Sequence, residues 1–249
     1  MPTYRDEAVV LRTHKLGEAD RIVTMLSRSH GKVRAVARGV RRTRSKFGAR
    51  LEPFNHVDLM FAEGRTLDVV AQAVTLHTFS EPLTSDYAAF TAGQVMLETA
   101  DRLVEEEGQP AIRQYLLLVG GLRALTEGTS DGERPPTMIM NSYLLRALAT
   151  AGYAPSLDDC ARCGEAGPHE GFSPSAGGSV CRRCRPPGTP FPRPATLTLL
   201  GSLLAGDWVA TRDAEPVVLR ESDGLVAAFA QWHIERGVRS LSHVDRTGS

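Results

Sequence analysis

The sequence predicts an α+β chain, with an N-terminal five-stranded OB-type β-barrel followed by a helical domain carrying a four-cysteine zinc-ribbon-like insertion. Three observations predict it. Five short β-branched or alternating runs fall within residues 1–80, apolar spacing turns helical from Ser85, and two Cys-x-x-Cys pairs interrupt the helical part. The boundaries that follow are 1–80 for the barrel and 81–249 for the helical domain, with the cysteine insertion at about 155–190.

The strands come first. Ala8-Val9-Val10-Leu11 and Ile22-Val23-Thr24-Met25-Leu26 are β-branched runs. Ser29-His30-Gly31 turns the chain into Lys32 to Ala37, where polar and apolar residues alternate. Val57 to Phe61 alternates too, and Glu63-Gly64 turns it into Leu67 to Ala71. Five strands with two hairpin-like turns fit a small barrel of the OB type. Beyond Ser85, Phe90, Gly93, Leu97, Ala100 and Val104 mark one face of a helix. Ala111 to Leu125 forms a second, bounded by Pro110 and the Glu127 to Pro136 loop. Met140, Leu144, Ala147, Leu148 and Ala151 mark a third, which ends at Gly152. Residues 155–194 lose periodicity, and helical character resumes over Ala195 to Leu204. A last helix places Leu225, Ala228, Phe229 and Trp232 on one face, with His233 packed beside them.

Cys160-Ala-Arg-Cys163 and Cys181-Arg-Arg-Cys184 are the only cysteines, in two pairs separated by 17 residues. A two-residue gap lets both thiolates of a pair face one point, and two such pairs complete a tetrahedron. Gly164, Gly177 and Gly178 allow the tight turns this needs. A disulfide would need an oxidising compartment, and Met1 to Glu7 has no apolar segment behind it to act as a secretory signal. A redox pair would open a helix, whereas these lie in a Pro/Gly-rich stretch. The reading is one structural Zn2+ held by Cys160, Cys163, Cys181 and Cys184, with no open coordination position.

Net charge is zero, but its distribution is uneven. Residues 1–80 hold 14 Lys/Arg against 8 Asp/Glu, and the remainder 15 against 21. Arg21 to Arg50 contains ten cations and no acid. Alternation places Lys32, Arg34 and Arg38 on one strand face, and Arg41, Arg42, Arg44, Lys46 and Arg50 extend it along the next loop. Such a stripe repels itself unless an anion favours it, and phosphate is the usual partner. These eight residues are the candidate nucleic-acid-binding set; a solvated surface strand is the bland alternative. Phe47 and Phe54 are the nearby aromatics, more often core than stacking platforms.

Other clusters carry less. Glu18-Ala19-Asp20 reads as a turn or salt-bridge segment, and Glu105-Glu106-Glu107 as a solvated helix end. No phosphate-binding loop, nucleophile elbow or His-Glu-x-x-His exists, so no catalytic residue is assigned and the chain is read as a non-enzyme. The longest apolar runs fall far short of the ~20 residues of a membrane span, so the expected location is the cytoplasm.

Ala8-Val9-Val10-Leu11-Arg12, Gly17 to Val23, His30-Gly31-Lys32, Arg38 to Arg42, Ser45-Lys46-Phe47-Gly48 and Leu51-Glu52-Pro53-Phe54 resemble, in order, the N-terminal signature of the RecO family. The resemblance continues through Leu144-Leu145, Gly152 to Pro155, Cys160/Cys163/Gly164, Phe172, Gly177-Gly178 and Cys181/Cys184 to Arg236-Gly237-Val238-Arg239-Ser240-Leu241. It implies a recombination mediator with an OB fold, a helical domain and a zinc site. It further implies ATP-independent binding of single- and double-stranded DNA, strand annealing, and partnership with RecR, the single-strand-binding protein SSB and the RecA recombinase. The reading is of a two-part monomer. An RNA-binding OB/zinc-ribbon protein of the translation or transcription machinery is the competing reading, and a nuclease with an unrecognised metal site the enzymatic one.

Overall fold

The computed structural model describes residues 2–241, with side chains through residue 234. The first unit opens with a closed barrel of strands β1 (Thr3–Leu16), β2 (Asp20–Ser27), β3 (Gly31–Ala37), β4 (His56–Ala62) and β5 (Asp68–His77), ordered β1-β2-β3-β5-β4. Closure rests on the length of β1. Its Thr3–Val9 half pairs antiparallel with β4 and its Ala8–Leu16 half with β2, bending where the register shifts between Val10 and Arg12. The circuit is completed by a short parallel pairing of β3 with β5 at Ala35 and Val36.

The alternation seen in the sequence sets what faces inward. Val33, Ala35 and Ala37 of β3 point into the barrel with Val10, Met25, Leu59 and Phe61, while Lys32 and Arg34 point out. The 39–55 connection adds a short 3₁₀ turn, Gly48–Leu51, which drops Phe47 and Leu51 into the same core. Phe47 and Phe54 are therefore buried, as core and not as stacking surfaces.

Three helices complete this unit: α1 (Ser80–Ser85), α2 (Tyr87–Leu103) and α3 (Ile112–Glu127). The six residues of α1 are too few to show a helical period, so only the structure reveals it. The Asp86 carboxylate caps α2 by accepting from the Ala88 and Ala89 amides. Phe54 joins barrel to helix. It holds φ at 74°, its amide donates to the Val10 carbonyl, and its ring packs edge-on against Phe90. Gly93 of α2 lies directly beneath that ring.

The second unit, after Glu127, contains α4 (Pro136–Thr150), the hairpin β6 (Gly171–Ser173) and β7 (Gly178–Val180), α5 (Pro194–Ala205) and α6 (Pro216–Leu241). The sequence boundary at 80/81 falls one residue into α1, while compactness divides the chain later, at 127/128. Helices α4, α5 and α6 pack mutually around Tyr143, Leu148, Leu200 and Phe229. On α6 the buried stripe is Ser222, Leu225, Val226, Phe229 and Ala230. Ala228 and Trp232, expected on the packed face, are exposed instead. The stripe is rotated because both flanks of α6 are covered, by α4 and by α5. His233 does pack, against Phe229 at 4.3 Å. The Arg236 to Leu241 side chains lie outside the described residues. No helix among the described residues is long and apolar enough to cross a membrane.

The Phe54 junction makes the sign of one substitution unusual. Gly→Ala inside a helix ordinarily stabilises, by up to about 1 kcal/mol. At Gly93 the added methyl would meet Phe54 Cε1 at 2.9 Å, and that ring is fixed by its own strained backbone. Overpacking of about 1–3 kcal/mol should outweigh the helical gain. Gly93→Ala is expected to lower the unfolding free energy by about 1 kcal/mol, seen as a lower denaturation midpoint with an unchanged m-value. A rise in the midpoint would refute this packing account.

Candidate nucleic-acid interface and metal centre

The ten cations between Arg21 and Arg50 divide into three groups. Four are met by acids brought from elsewhere in the chain. Arg21 pairs with Glu52 at 2.6 Å, Arg28 with Glu7 at 3.3 Å, Lys32 with Asp101 at 3.0 Å, and Arg34 with Glu107 at 3.1 Å. Lys32, 9% exposed, also donates to the Asp101 carbonyl. Asp101 accepts from Arg12 as well, at 2.6 Å. Burial tends to raise the Asp101 carboxyl, but the Arg12 and Lys32 donors outweigh it and hold it below the ordinary carboxylate range. Glu107, read from sequence as solvated, is half exposed yet ion-paired, because the chain after α2 runs back beside the start of β3.

Three more cations brace the backbone. Arg41 donates to the Glu18 carbonyl at 2.9 Å, Lys46 to the Ala71 carbonyl at 2.8 Å, and Arg50 to the carbonyls of Lys46 and Phe47 at 3.0 and 3.1 Å. Their charge is uncompensated, but their geometry is fixed. The Gly39 amide donates to Asp20 Oδ1 and the Arg41 amide to the Ala19 carbonyl, so the 39–41 segment is pinned to the β1–β2 turn. Glu18-Ala19-Asp20 thus serves as a turn anchor, one of the two roles the sequence allowed it.

Arg38, Arg42 and Arg44 remain. All three are exposed, and none makes a side-chain hydrogen bond or ion pair among the described residues. They project from a connection tethered at Gly39 and Arg41 and rooted in the core by Phe47 and Leu51. Three free guanidiniums on a held loop form a surface that can receive phosphates with little ordering cost. Of the eight sequence candidates, Lys32 and Arg34 are engaged by acids and Arg41, Lys46 and Arg50 by carbonyls. The acids Asp101 and Glu107 were not legible as partners, since they lie 69 and 73 residues from Lys32 and Arg34.

In the second unit the four cysteine sulfurs converge. All lie within 4.8 Å of one another, and Cys163 Sγ is 3.8 Å from Cys181 Sγ. A thiolate-metal bond of about 2.3 Å places sulfurs about 3.8 Å apart at tetrahedral angles, so the donor set fits an ion. Each knuckle is closed by its own backbone. The Gly164 amide donates to the Cys160 carbonyl and the Cys184 amide to the Cys181 carbonyl, with Gly164 at φ 71°. The β6–β7 hairpin, absent from the sequence reading, sits between the knuckles and aligns them. Gly178 must be glycine there, because a Cβ would fall 2.1 Å from the Ser156 carbonyl oxygen. The Cys181 amide donates to Cys160 Sγ, which draws that thiol down to about 6; proton sharing with the Cys163 and Cys181 sulfurs pushes Cys184 up to about 12. Four sulfurs so close cannot all ionise without a cation between them.

Comparisons with known proteins point one way. A family model described as "Recombination protein O N terminal" matches residues 1–79, and one described as "Recombination protein O C terminal" matches residues 84–242. The chain is 63% identical to the DNA repair protein RecO of Cutibacterium acnes, across 99% of its own length and 100% of the relative's. It is 59% identical to that of a Nocardioides species, over 98% and 99% respectively. To that of Streptomyces coelicolor it is 54% identical, over 99% and 100%.

Two outcomes follow from this geometry. Purified protein should carry one metal ion per chain, and Cys163→Ser should lose it and lower the melting temperature, because binding free energy of a structural metal is folding free energy. Metal-free protein that melts as the native form does would contradict the site. Asp101→Asn should cost about 2 kcal/mol by leaving Lys32 and Arg12 without their anion. Because the folded Asp101 titrates below the unfolded value of about 4, its stabilisation is complete above that value and disappears as pH falls through the lower one. The variant's acid-denaturation profile should accordingly be flatter than the parent's; parallel profiles would show that Asp101 is not the linked group.

Proposed function

The chain belongs to the RecO family of DNA repair proteins, and on that premise we propose that it is a non-enzymatic recombination mediator whose barrel unit binds single- and double-stranded DNA through Arg38, Arg42 and Arg44. The observation that carries this reading is the three-arginine surface left free when the other seven cations of the acid-free run are engaged. Arg41, Lys46 and Arg50 add positive potential from fixed positions beside it.

The mechanism is charge neutralisation. Two complementary strands repel each other over about 8 Å at physiological ionic strength, and a mobile cation atmosphere is displaced when fixed guanidiniums take its place. A surface that holds phosphates of both strands lowers the repulsion that opposes pairing. Phosphate contacts carry no base information, so binding is sequence-tolerant, and the buried Phe47 and Phe54 leave little aromatic stacking to alter this. On SSB-coated DNA the same surface would hold a strand as it is uncovered, with RecR as co-mediator and RecA as the recipient of the exposed strand. No nucleotide enters this scheme. The metal is inferred to be Zn2+, since four cysteine thiolates suit it and leave no position for a reacting water. Its role is to fold the insertion.

The test uses Arg38→Ala, Arg42→Ala and Arg44→Ala combined. Neutral side chains at three exposed positions should leave the melting temperature unchanged. The variant should anneal SSB-coated strands more slowly than the parent, with or without RecR and with no nucleotide added. Its slope of log K against log salt for single-stranded DNA should fall in magnitude by about 2. An unchanged slope and annealing rate would place the DNA site elsewhere. Equal-length RNA that competes better than single-stranded DNA would favour a translation or transcription role instead.

A further inference from the structure

The second unit contains a groove of about 1460 Å³ between the first cysteine knuckle and α5. Its apolar floor includes Leu157, Leu197, Leu204 and Phe191, the last 55% exposed. Its charged lining is of one sign: Asp158, Asp159, Glu170 and Asp207, with no lysine or arginine. Asp207 caps the following turn through the Ala210 amide. Asp158, Asp159 and Glu170 have no side-chain partner among the described residues.

The donors that could have answered those carboxylates are turned away. On α5, the Thr198 hydroxyl donates to the Pro194 carbonyl and the Ser202 hydroxyl to the Thr198 carbonyl. The His169 ring nitrogen is bonded to the Glu165 carbonyl. Arg193 lies between two lining prolines but pairs with Glu221, and Arg185 lies over one face of Phe191 at 5.0 Å. What the groove offers a ligand is therefore apolar surface and hydrogen-bond acceptors. An occupant must bring its own donors and positive charge, and phosphates are repelled.

We infer that this groove docks a short cationic segment of a partner protein, an apolar anchor flanked by lysine or arginine. The anchor would cover Leu197, Leu204 and Phe191, and the cations would reach Asp158, Asp159 and Glu170. This surface has the opposite electrostatic character to the arginine loop of the barrel, so it serves a protein partner and not the nucleic acid. The inference stands apart from the DNA-binding proposal, and either can fail alone.

A phage-displayed random peptide library, panned against the full metal-loaded chain, tests it. Enriched peptides should carry an apolar residue between lysines or arginines. Synthetic copies should bind more weakly as salt is raised. Affinity should fall at least tenfold for Phe191→Ser and for the combined Asp158→Asn, Asp159→Asn, Glu170→Gln variant. All four positions are exposed, so both variants should melt as the parent does. Enrichment of acidic or uncharged peptides, no enrichment, or peptides that bind both variants undiminished would overturn the proposal. So would sedimentation showing that the groove variants abolish self-association, which would make the occupant a second copy of this chain.

Discussion

Ten cations in thirty residues without one acid impose the constraint around which the first unit is arranged. Held on adjacent strands and one loop, they would repel one another and oppose closure of the barrel. The fold answers with anions from distant segments: Glu7 from β1, Glu52 from the connection after the 3₁₀ turn, Asp101 from α2 and Glu107 just beyond it. Exposed pairs of this kind contribute little singly. The Asp101 site is different, since a mostly buried carboxylate takes both Arg12 and Lys32 and so ties α2 to two strands. Bringing α2 there also seats Gly93 under Phe54. Charge pairing and apolar packing thus select the same placement of the helix on the barrel.

The same division explains how one loop can be both held and free. Arg41, Lys46 and Arg50 satisfy backbone carbonyls, Phe47 and Leu51 fill the core, and Asp20 takes the Gly39 amide. Only after those contacts are made do Arg38, Arg42 and Arg44 stand clear. If these three arginines meet DNA as proposed, the backbone that carries them is in place before the ligand arrives. The second unit has a different device: around residues 155–190 two knuckles and a hairpin gather four sulfurs close enough to hold one metal ion, which would cross-link that stretch.

Much of this was legible in the sequence because it is written in local pattern. The alternation of Lys32 to Ala37 fixes which side of β3 is core, and Cys-x-x-Cys spacing names the four sulfurs that the fold brings together, without knowledge of the chain between them. What was hidden depends on contacts across sequence. Nothing near Lys32 announces Asp101, so a cation that the stripe counted as surface turns out nearly buried. Likewise Trp232 falls on a helical stripe by spacing alone, yet covering α6 from two sides rotates its packed face toward Val226 and Ala230. Short elements such as α1 and the β6–β7 hairpin have too few residues for any period to show. The acidic groove escaped for the same reason, since its carboxylates and its apolar floor come from three separate stretches of chain.

Of the ten cations in the run, Arg38, Arg42 and Arg44 are the ones left free, and the proposed function rests on their meeting DNA. Arginine-selective modification with phenylglyoxal, mapped by mass spectrometry with and without saturating single-stranded DNA, reads this directly. Without DNA, Arg38, Arg42 and Arg44 should react fast and Arg21 and Arg34 slowly. With DNA, the first three should be protected and the paired ones unchanged. Equal reaction of Arg38, Arg42 and Arg44 in both states, with protection appearing at Arg162 and Arg182 of the second unit, would contradict the account.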